Sequence, residues 1–345
     1  MIEKRLISVA IPAFNEQDNI HELAARLRAV FARLADRYDF EVVVCENGSV
    51  DSTYDHLVEI RRLDPRFKIV QLSRNFNMEG GMMAALSYVS GDACVIMSAD
   101  LQDPPEMIPA LIEQWENGFE VVYTVITERQ GESRFRRAAA QTFYSIINRI
   151  SDTPVPRNAS DFRLVDRRAY EAFNALPERN RMVRALWGWI GFRSTGLPYV
   201  RAARTGGTSK FRVMATAGFA LRGILSSSYK ALKVIPLIGV LLSFLSFTAL
   251  VGIVIRAVFF GVPFPGFGTL ASMVLLLFGF LFLLLGLVSE YIAMIYEESR
   301  RRPSFIVRET HGVAEHSTTE SAAWSRITEP LRAMVPAGHR GSALD

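Results

Sequence analysis

Cysteine is scarce in this chain: only Cys45 and Cys94 occur among its 345 residues. Each lies in an apolar, strand-like run, so we expect two buried thiols, as is usual in a reducing compartment. Two lone cysteines without histidine partners also exclude a cysteine-based zinc site.

Two other common signals are absent. The N-terminal stretch MIEKRLISVAIP has no apolar segment long enough for a signal peptide, because charges and then a proline interrupt it. No glycine-rich fingerprint of the dinucleotide-binding or P-loop type is present, which argues against a Rossmann dehydrogenase or an ATPase. We therefore expect the N-terminal two thirds of the chain to remain in the cytoplasm.

Apolar residues make up 50% of the sequence, and they are concentrated in its last third. Residues 234–260 and 268–294 are almost wholly apolar over lengths that match the hydrocarbon thickness of a bilayer. Buried core helices are the alternative, but they are usually shorter and keep a polar stripe. The sequence therefore predicts two transmembrane helices.

Positive charge flanks this apolar region on both sides. Lys230 and Lys233 precede it, Arg300, Arg301 and Arg302 follow it, and the connector FGVPFPGFG carries no charge. The positive-inside rule then predicts a multi-pass protein of the inner (cytoplasmic) membrane, with both termini and the N-terminal domain in the cytoplasm.

Strand-like runs rich in β-branched residues alternate with stretches of helical periodicity. The runs are LISVAIP, FEVVVCE, FKIVQLS, ACVIMSA and FEVVYTV, and helices are predicted at residues 20–38, 52–63, 82–89 and 105–117. Strands that are apolar on both faces and alternate with helices predict an α/β domain with a mainly parallel sheet. Ligands of such sheets bind beyond the carboxyl ends of the strands.

Two basic amphipathic segments, at about residues 132–150 and 211–233, favour helices that lie in the membrane interface. For the first segment, packing against the domain's own core is an equally good explanation. For the second, direct continuity with the apolar region favours the interface. The polar tail, residues 297–345, has little apolar periodicity, so we expect it to be largely disordered or weakly helical.

Polar, acid-bearing motifs follow the first four strands: PAFNE, ENGSVDST, SRNFNMEGG and SADLQDPPE. In the last of these, Asp100 and Gln102 lie two residues apart and share one side of an extended segment. Such hard oxygen ligands suit Mg²⁺ or Mn²⁺, particularly when substrate phosphates supply the remaining ligands. Asp103 has a second explanation, as the cap of a helix that begins at Pro105.

The motif ENGSVDST also has two explanations. Asn47 and Gly48 fit a turn, with Ser49 or Asp51 as the cap of the following helix. Alternatively, Glu46 and Asn47 hydrogen-bond a nucleobase edge or ribose hydroxyls in the crevice.

The ordered set VAIPAFNE, ENGSVDST, RNF, SADLQDPPE, SDFRLVDRR and RTGGTSKF, followed by two apolar spans, resembles the polyprenyl-phosphate glycosyltransferases of glycosyltransferase family 2. That group includes dolichol-phosphate mannose synthase and bactoprenol glucosyl transferases. The resemblance covers roughly residues 5–300. It implies a catalytic domain of type GT-A, a divalent metal, and transfer of one sugar with inversion onto a lipid phosphate at the cytoplasmic face.

The resemblance also implies roles for individual residues. Asp161 matches the proposed catalytic aspartate of the family, Arg163 follows in the same motif, and Asp100 with Gln102 falls where the family holds its metal. The positions implied for nucleotide-sugar binding are Pro12, Ala13, Asn15, Glu16, Glu46, Asn47 and Asp100. The lipid phosphate and the diphosphate leaving group require cations and hydroxyls. The candidates are Arg129, Arg136, Arg204, Ser209 and Lys210.

Two positions depart from the family pattern. Ser98 stands where the usual metal motif has an aspartate, and Glu46 and Asn47 replace the usual paired acids. The alternatives left open are a GDP-mannose-using enzyme and a non-catalytic, membrane-tethered sugar-nucleotide binder. A processive polysaccharide synthase would need more membrane helices.

The expected partners are a nucleotide-sugar, with UDP-glucose-like donors favoured over GDP-sugars, a polyprenyl phosphate, the membrane, and a second copy of this chain in a homo-oligomer. Nucleic acid is not expected. The domain boundaries predicted in this way are residues 1–210 for the catalytic domain, 211–233 for an interfacial helix, 234–296 for a transmembrane hairpin and 297–345 for the tail.

Overall fold

The structure, a computed structural model, describes residues 4–129, 159–176, 183–201 and 266–313, together with positions 244, 248, 251, 252, 255 and 259. The strands in these residues are β1 (Arg5–Ala13), β2 (Tyr38–Glu46), β3 (Phe67–Leu72), β4 (Ala93–Ile96), β5 (Val121–Arg129), β6 (Ala159–Asp166), β7 (Ser194–Arg201) and β8 (Val307–His311).

All eight strands form one sheet in the order β7-β5-β6-β4-β1-β2-β3-β8. β1 pairs in parallel with β2 and β4, β2 with β3, and β5 with β7. β6 is antiparallel to β4 and β5, and β8 is antiparallel to β3. The predicted α/β class with a mainly parallel sheet is confirmed, and it fits a GT-A-like architecture.

Helices cover the sheet. In the described residues they are α1 (Ile20–Leu34), α2 (Thr53–Leu63), α3 (Asn77–Ser87), a 3₁₀ turn (Pro105–Met107) that leads into α4 (Ile108–Glu116), α5 (Arg167–Asn174), α6 (Val183–Trp189) and α7 (Phe267–Ser299). α1 buries residues at spacings of three and four, among them Ile20, Leu23 and Leu27, as expected for one apolar face of a helix.

The central strands are buried on both faces, which explains their continuous apolar runs. Val42 and Val44 of β2 belong to one buried cluster, whereas Val43 and Cys45 belong to another. Cys45 and Cys94 are both free and fully buried, and this burial raises the pKa of each thiol well above its usual value. The predicted burial of both thiols is therefore confirmed.

Two helix boundaries differ from the sequence prediction. The helix predicted at 20–38 ends at Leu34, because Tyr38 already begins β2. The helix predicted at 82–89 begins earlier, at Asn77. Its first turn contains Gly80, where a β-carbon would lie 2.6 Å from Cβ of Phe76. A close approach thus requires glycine at this position.

The tail contributes a strand that the sequence did not predict. Val307–His311 pairs antiparallel with β3, and the Ser73 amide donates to the Ile306 carbonyl at 2.9 Å. The expectation of a largely disordered tail is wrong for this segment. An edge strand with one partner needs no alternating apolar pattern, and VRETH has none. Residues 314–345 lie outside the described part.

One described helix is long and apolar enough to cross a membrane. It is α7, whose candidate span is Leu276–Tyr296. Large apolar side chains on it are exposed, including Phe282 at 68% and Ile292 at 60%. The other predicted span, residues 234–260, lies almost entirely outside the described residues, and so do the amphipathic segments 132–150 and 211–233.

Candidate functional site

The candidate site lies at the carboxyl edge of the sheet, where β1 to β4 all end. Ala13 and Glu46 are paired at the ends of β1 and β2, and the Asn47 amide donates to the Ala13 carbonyl at 2.9 Å. The register thus sets the motifs PAFNE and ENGSVDST side by side. This placement agrees with the rule that parallel sheets bind ligands at this edge.

The loop after β1 is held against the loop after β2. Asn15 has φ 56°, its amide donates to Ser49 Oγ at 3.1 Å, and its Oδ1 accepts from the Val50 amide at 3.0 Å. The Glu16 amide donates to Thr53 Oγ1 at 2.8 Å. Asparagine tolerates the left-handed conformation, so its presence at this position has a local cause as well as the implied nucleotide contact.

Glu46 and Asn47 are almost fully buried, at 1% and 3% exposure. Glu46 Oε1 accepts from the Ser49 amide at 2.5 Å. Asn47 Oδ1 accepts from the Phe76 amide at 2.9 Å, and Nδ2 donates to the Asn77 carbonyl at 2.8 Å. The Asn47 side chain therefore joins the β2 and β3 loops. A nucleobase contact is restricted to its second proton and second lone pair.

Asp100 is positioned by a tight turn after β4. Its Oδ1 accepts from the Gln102 amide at 3.2 Å and lies 2.8 Å from Ser98 Oγ. Leu101, between them, has φ 59°, a conformation that is rare for a leucine. This conformation persists only where surrounding contacts enforce it, which is common at functional sites.

Asp103 does not cap the helix that follows it. The 3₁₀ turn at Pro105–Met107 has no side-chain cap, and Asp103 instead accepts hydrogen bonds from the amide and hydroxyl of Ser98. Proline at the start of that turn removes an amide that would need a cap. The capping explanation of Asp103 is therefore wrong.

β6 brings Asp161 to the same edge because it runs antiparallel to β4. Ile96 pairs with Arg163, so the beginning of β6 lies beside the residues that follow β4. The Arg163 side chain is 5% exposed, with Nη2 3.9 Å from Asp161 Oδ1 and 2.9 Å from the Ser160 carbonyl. These contacts orient the start of β6, the segment that carries Asp161.

The predicted phosphate-binding set is not placed by the structure. Arg129 ends β5, but only its backbone is described. Arg136, Arg204, Ser209 and Lys210 lie outside the described residues, so their role stays a prediction.

The donor set at this edge fits a divalent cation only if the substrate completes the coordination. In the described ranges, no group of three or more His, Cys, Asp or Glu residues could hold a metal. Asp100 and Gln102 supply hard oxygens, which suit Mg²⁺ or Mn²⁺ shared with a diphosphate. The metal assignment of these two residues stays a prediction.

Sequence reasoning missed Tyr199 and Ser160. Tyr199 lies on β7 and is 6% exposed, and its hydroxyl is 3.2 Å from Asp103 Oδ1 and 3.3 Å from Ser160 Oγ. A tyrosine in a strand carries no distinguishing pattern, and β7 itself was not predicted. Only the long-range pairing of β5 with β7 brings Tyr199 to the site.

A cavity of about 830 Å³ opens at the opposite, amino edge of the sheet. Its charged lining is paired: Arg168 Nη2 lies 2.7 Å from Glu120 Oε1, and Arg167 Nη2 lies 3.3 Å from Asp92 Oδ1. The Trp115 indole donates to Asp166 Oδ2 at 2.8 Å. Because these groups satisfy one another, we place the chemistry at the carboxyl edge despite the size of this cavity.

Comparisons with known proteins agree on one family. Residues 8–173 match the model of glycosyl transferase family 2. An uncharacterized glycosyltransferase of Synechocystis is 36% identical over 307 residues, which cover 89% of this chain and 96% of that protein. The bactoprenol glucosyl transferase of Shigella phage SfII is 35% identical over 305 residues, covering 88% and 98% of the two chains.

Among solved structures, glucosyl-3-phosphoglycerate synthase from Mycobacterium tuberculosis, in complex with Mn²⁺, UDP-glucose and phosphoglyceric acid, matches with a TM-score of 0.42 and 21% identity. The match covers 65% of this chain and 79% of that one. The family match and the near-complete coverage of relatives above 30% identity settle the class. The chain belongs to glycosyltransferase family 2 and is a glycosyltransferase.

Proposed function

We propose that this glycosyltransferase transfers a single sugar, with inversion, from a UDP-linked, glucose-like donor to a polyprenyl phosphate at the cytoplasmic face of the inner membrane. The product would be a polyprenyl-phosphate sugar for modification of cell-envelope glycans. The acceptor is supported by the 35% identity, over most of both chains, to bactoprenol glucosyl transferases.

The structural observation that carries the proposal is the antiparallel pairing of β6 with β4. Ile96 opposite Arg163 brings the β6 residue Asp161 to the edge where Asp100 follows β4. Two carboxylates, one after β4 and one on β6, thus lie at the same edge of the sheet. Asp100 is suited to a cation that holds the leaving diphosphate, and Asp161 to the reacting centre.

The nucleotide-sugar would bind across the loops that follow β1 and β2. Hydrogen bonds between Asn15, Ser49 and Val50 join these loops, so the donor meets a surface that is already formed. Preorganisation of this kind reduces the entropy lost on binding. Pro12, Ala13 and Glu16 complete the proposed contact surface.

The reaction would be a direct displacement. A phosphate oxygen of the lipid attacks the anomeric carbon, the bond to the nucleoside diphosphate breaks, and the configuration inverts. A phosphate with a second pKa of about 6 is already mostly ionised at neutral pH, so a strong general base is not required. Asp161 would orient the acceptor. A divalent cation held by Asp100 and Gln102 would neutralise charge on the diphosphate.

Membrane attachment is supported by the exposed apolar surface of α7. The span Leu276–Tyr296 is not covered by other parts of the described structure, and Phe278, Phe282 and Leu285 remain at least 49% exposed. Such a surface is stable in a hydrocarbon environment. A span at residues 234–260 would carry the chain across the membrane, α7 would return it to the cytoplasmic side, and a homo-oligomer would bury part of these helices.

The test is sugar transfer by detergent-purified, full-length protein from a panel of UDP- and GDP-sugars to undecaprenyl phosphate. Reactions contain Mn²⁺, Mg²⁺ or a chelator. A metal-dependent glycolipid from UDP-glucose supports the proposal, and exclusive use of GDP-mannose replaces it with a mannosyltransferase. Tight UDP binding without a product from any donor would leave a non-catalytic binder.

A further inference from the structure

The carboxylate of Asp103 lies at the centre of a buried hydrogen-bond network. It is 3% exposed, and its two oxygens have partners in different elements, the loop after β4 and the strand β7. Oδ2 accepts from the Ser98 amide at 3.1 Å and from Ser98 Oγ at 2.7 Å. Oδ1 accepts from the Tyr199 hydroxyl at 3.2 Å. A buried carboxylate requires such partners, because its desolvation is otherwise unfavourable.

On one side the network reaches Asp100. The Ser98 hydroxyl lies 2.8 Å from Asp100 Oδ1 and 2.7 Å from Asp103 Oδ2, but it has a single proton to donate. The two carboxylates therefore share this hydroxyl, and a change in one alters the hydrogen bond available to the other. Hydrogen bonds in such networks strengthen one another.

On the other side the network reaches the start of β6. The Tyr199 hydroxyl is 3.3 Å from Ser160 Oγ, which also accepts from the Phe162 amide at 3.3 Å. The Tyr199 ring packs edge-on against Phe162. Ser160 and Phe162 enclose Asp161, so these contacts fix the backbone on both sides of it.

We propose that Asp103 is a positioning residue of the transfer site. It relays changes in position between Asp100, which it reaches through Ser98, and the Asp161 segment, which it reaches through Tyr199 and Ser160. This inference rests on the proposed function. It assigns a task to a serine that stands where the family pattern has an aspartate. A third carboxylate at position 98 would face Asp103 at hydrogen-bond distance and repel it, whereas the hydroxyl joins the two acids.

The relay predicts an effect at a distance. Tyr199 lies on β7 and contacts Asp103 rather than Asp100, yet Tyr199→Phe should weaken Mn²⁺ binding in the presence of UDP by about 3–10-fold, as expected for loss of a hydrogen bond to a charged group. At saturating Mn²⁺ and donor, the same variant should lower kcat by about 10-fold. Ser98→Ala should act in the same direction.

A matched control is available on β5. Thr124 is fully buried, and its hydroxyl donates to the Phe162 carbonyl at 2.9 Å, which is also a bond to β6 but not to Asp103. Thr124→Val should lower the melting temperature about as much as Tyr199→Phe does, while Mn²⁺ affinity remains within about twofold of wild type.

The experiment measures Mn²⁺ affinity with UDP by electron paramagnetic resonance, sugar transfer, and melting temperature on full-length protein. It compares wild type, Ser98→Ala, Tyr199→Phe, their double variant and Thr124→Val. If Asp103 relays, the effects of Ser98→Ala and Tyr199→Phe on Mn²⁺ affinity are non-additive. The affinity of the double variant then differs from the product of the two single effects by more than about threefold. Additive effects, or an unchanged Mn²⁺ affinity in Tyr199→Phe, would overturn the inference. Absence of transfer by wild type defeats the proposed function, whereas the Mn²⁺ series still decides the relay.

Discussion

The two edges of the sheet handle buried and half-buried acids in different ways. At the amino edge, carboxylates face arginines: Glu120 and Asp166 both contact Arg168, and Asp92 contacts Arg167. At the carboxyl edge, Glu46 and Asp103 accept from amides and hydroxyls, and Asp161 has an arginine, Arg163, at the longer distance of 3.9 Å. Amides and hydroxyls orient a carboxylate without cancelling its charge, whereas an arginine cancels it.

This difference indicates what each edge contributes. The ion pairs of Arg167 and Arg168 at the amino edge are partly exposed and contribute little to stability. Neutral donors at the carboxyl edge preserve negative charge close to loops that are hydrogen-bonded to one another. This condition suits a cation, which can in turn hold a diphosphate. Substitutions at the two edges should therefore separate effects on activity from effects on stability.

The largest effect is expected from Asp161→Asn and Asp100→Asn at the carboxyl edge. Each should reduce sugar transfer by about 100-fold or more, because the lost charge acts on the reacting groups. UDP binding should survive Asp161→Asn. Steady-state transfer and calorimetric UDP titration provide the measurements. Turnover of Asp161→Asn at the wild-type level would remove Asp161 from the reaction.

Asn47→Ala should have the next largest effect. It leaves the Phe76 amide and the Asn77 carbonyl without their side-chain partner, at about 1–3 kcal/mol in the free energy of unfolding. Transfer should fall about 10-fold, because the β3 loop loses its link to the β2 loop. Asn174→Ala, which removes a bond to the Leu86 carbonyl at the far end of α3, is the control that should spare activity. Equal activity losses in both variants would make the effect one of stability alone.

Acid sensitivity should come from the amino edge. Arg66, and then Arg28, hydrogen-bond the Asp64 carboxylate and lower its pKa from 3.8 to about 2. Because the folded pKa is below the unfolded one, this stabilisation is complete above pH 4 to 5 and is lost as pH falls towards 2. Denaturant titrations across this range should show a shallower pH dependence for Asp64→Asn than for wild type. Identical slopes would show that the ion pair does not contribute.

The smallest effect is expected for Glu120→Gln. Its partner Arg168 has a side chain that is 70% exposed, so loss of the ion pair should change the free energy of unfolding by about 1 kcal/mol or less. Transfer should stay at the wild-type level. A large loss of transfer would break the division between the edges and bring the cavity beside Glu120 into the function.

The central part of the fold could be predicted from the sequence because its signals are local. The β1 to β4 strands are apolar on both faces, and polar motifs such as PAFNE follow them directly. Parallel strands then bring those motifs together by topology alone. Asp100 and Gln102 were therefore assigned to the site without knowledge of any contact.

What could not be predicted depends on contacts between distant segments. Asp103 and Tyr199 are hydrogen-bonded although 96 residues separate them, and Asn47 contacts a loop 29 residues away. The capping explanation of Asp103 failed because Ser98 and Tyr199 donate hydrogen bonds to the two oxygens of that carboxylate. β8 was missed because an edge strand of polar residues has no pattern of its own.

The short connection between α7 and β8 limits the distance between the bilayer and the candidate site. Only residues 300–306 separate Ser299 from Val307, so the connection spans at most about 29 Å even when fully extended. The β8 strand begins beside the end of β3, next to the loop that Asn47 holds. With α7 placed in the membrane as proposed, a lipid phosphate can meet the donor at the headgroup layer. If the acceptor is a polyprenyl phosphate, as proposed, its chain would stay dissolved in the bilayer throughout the reaction.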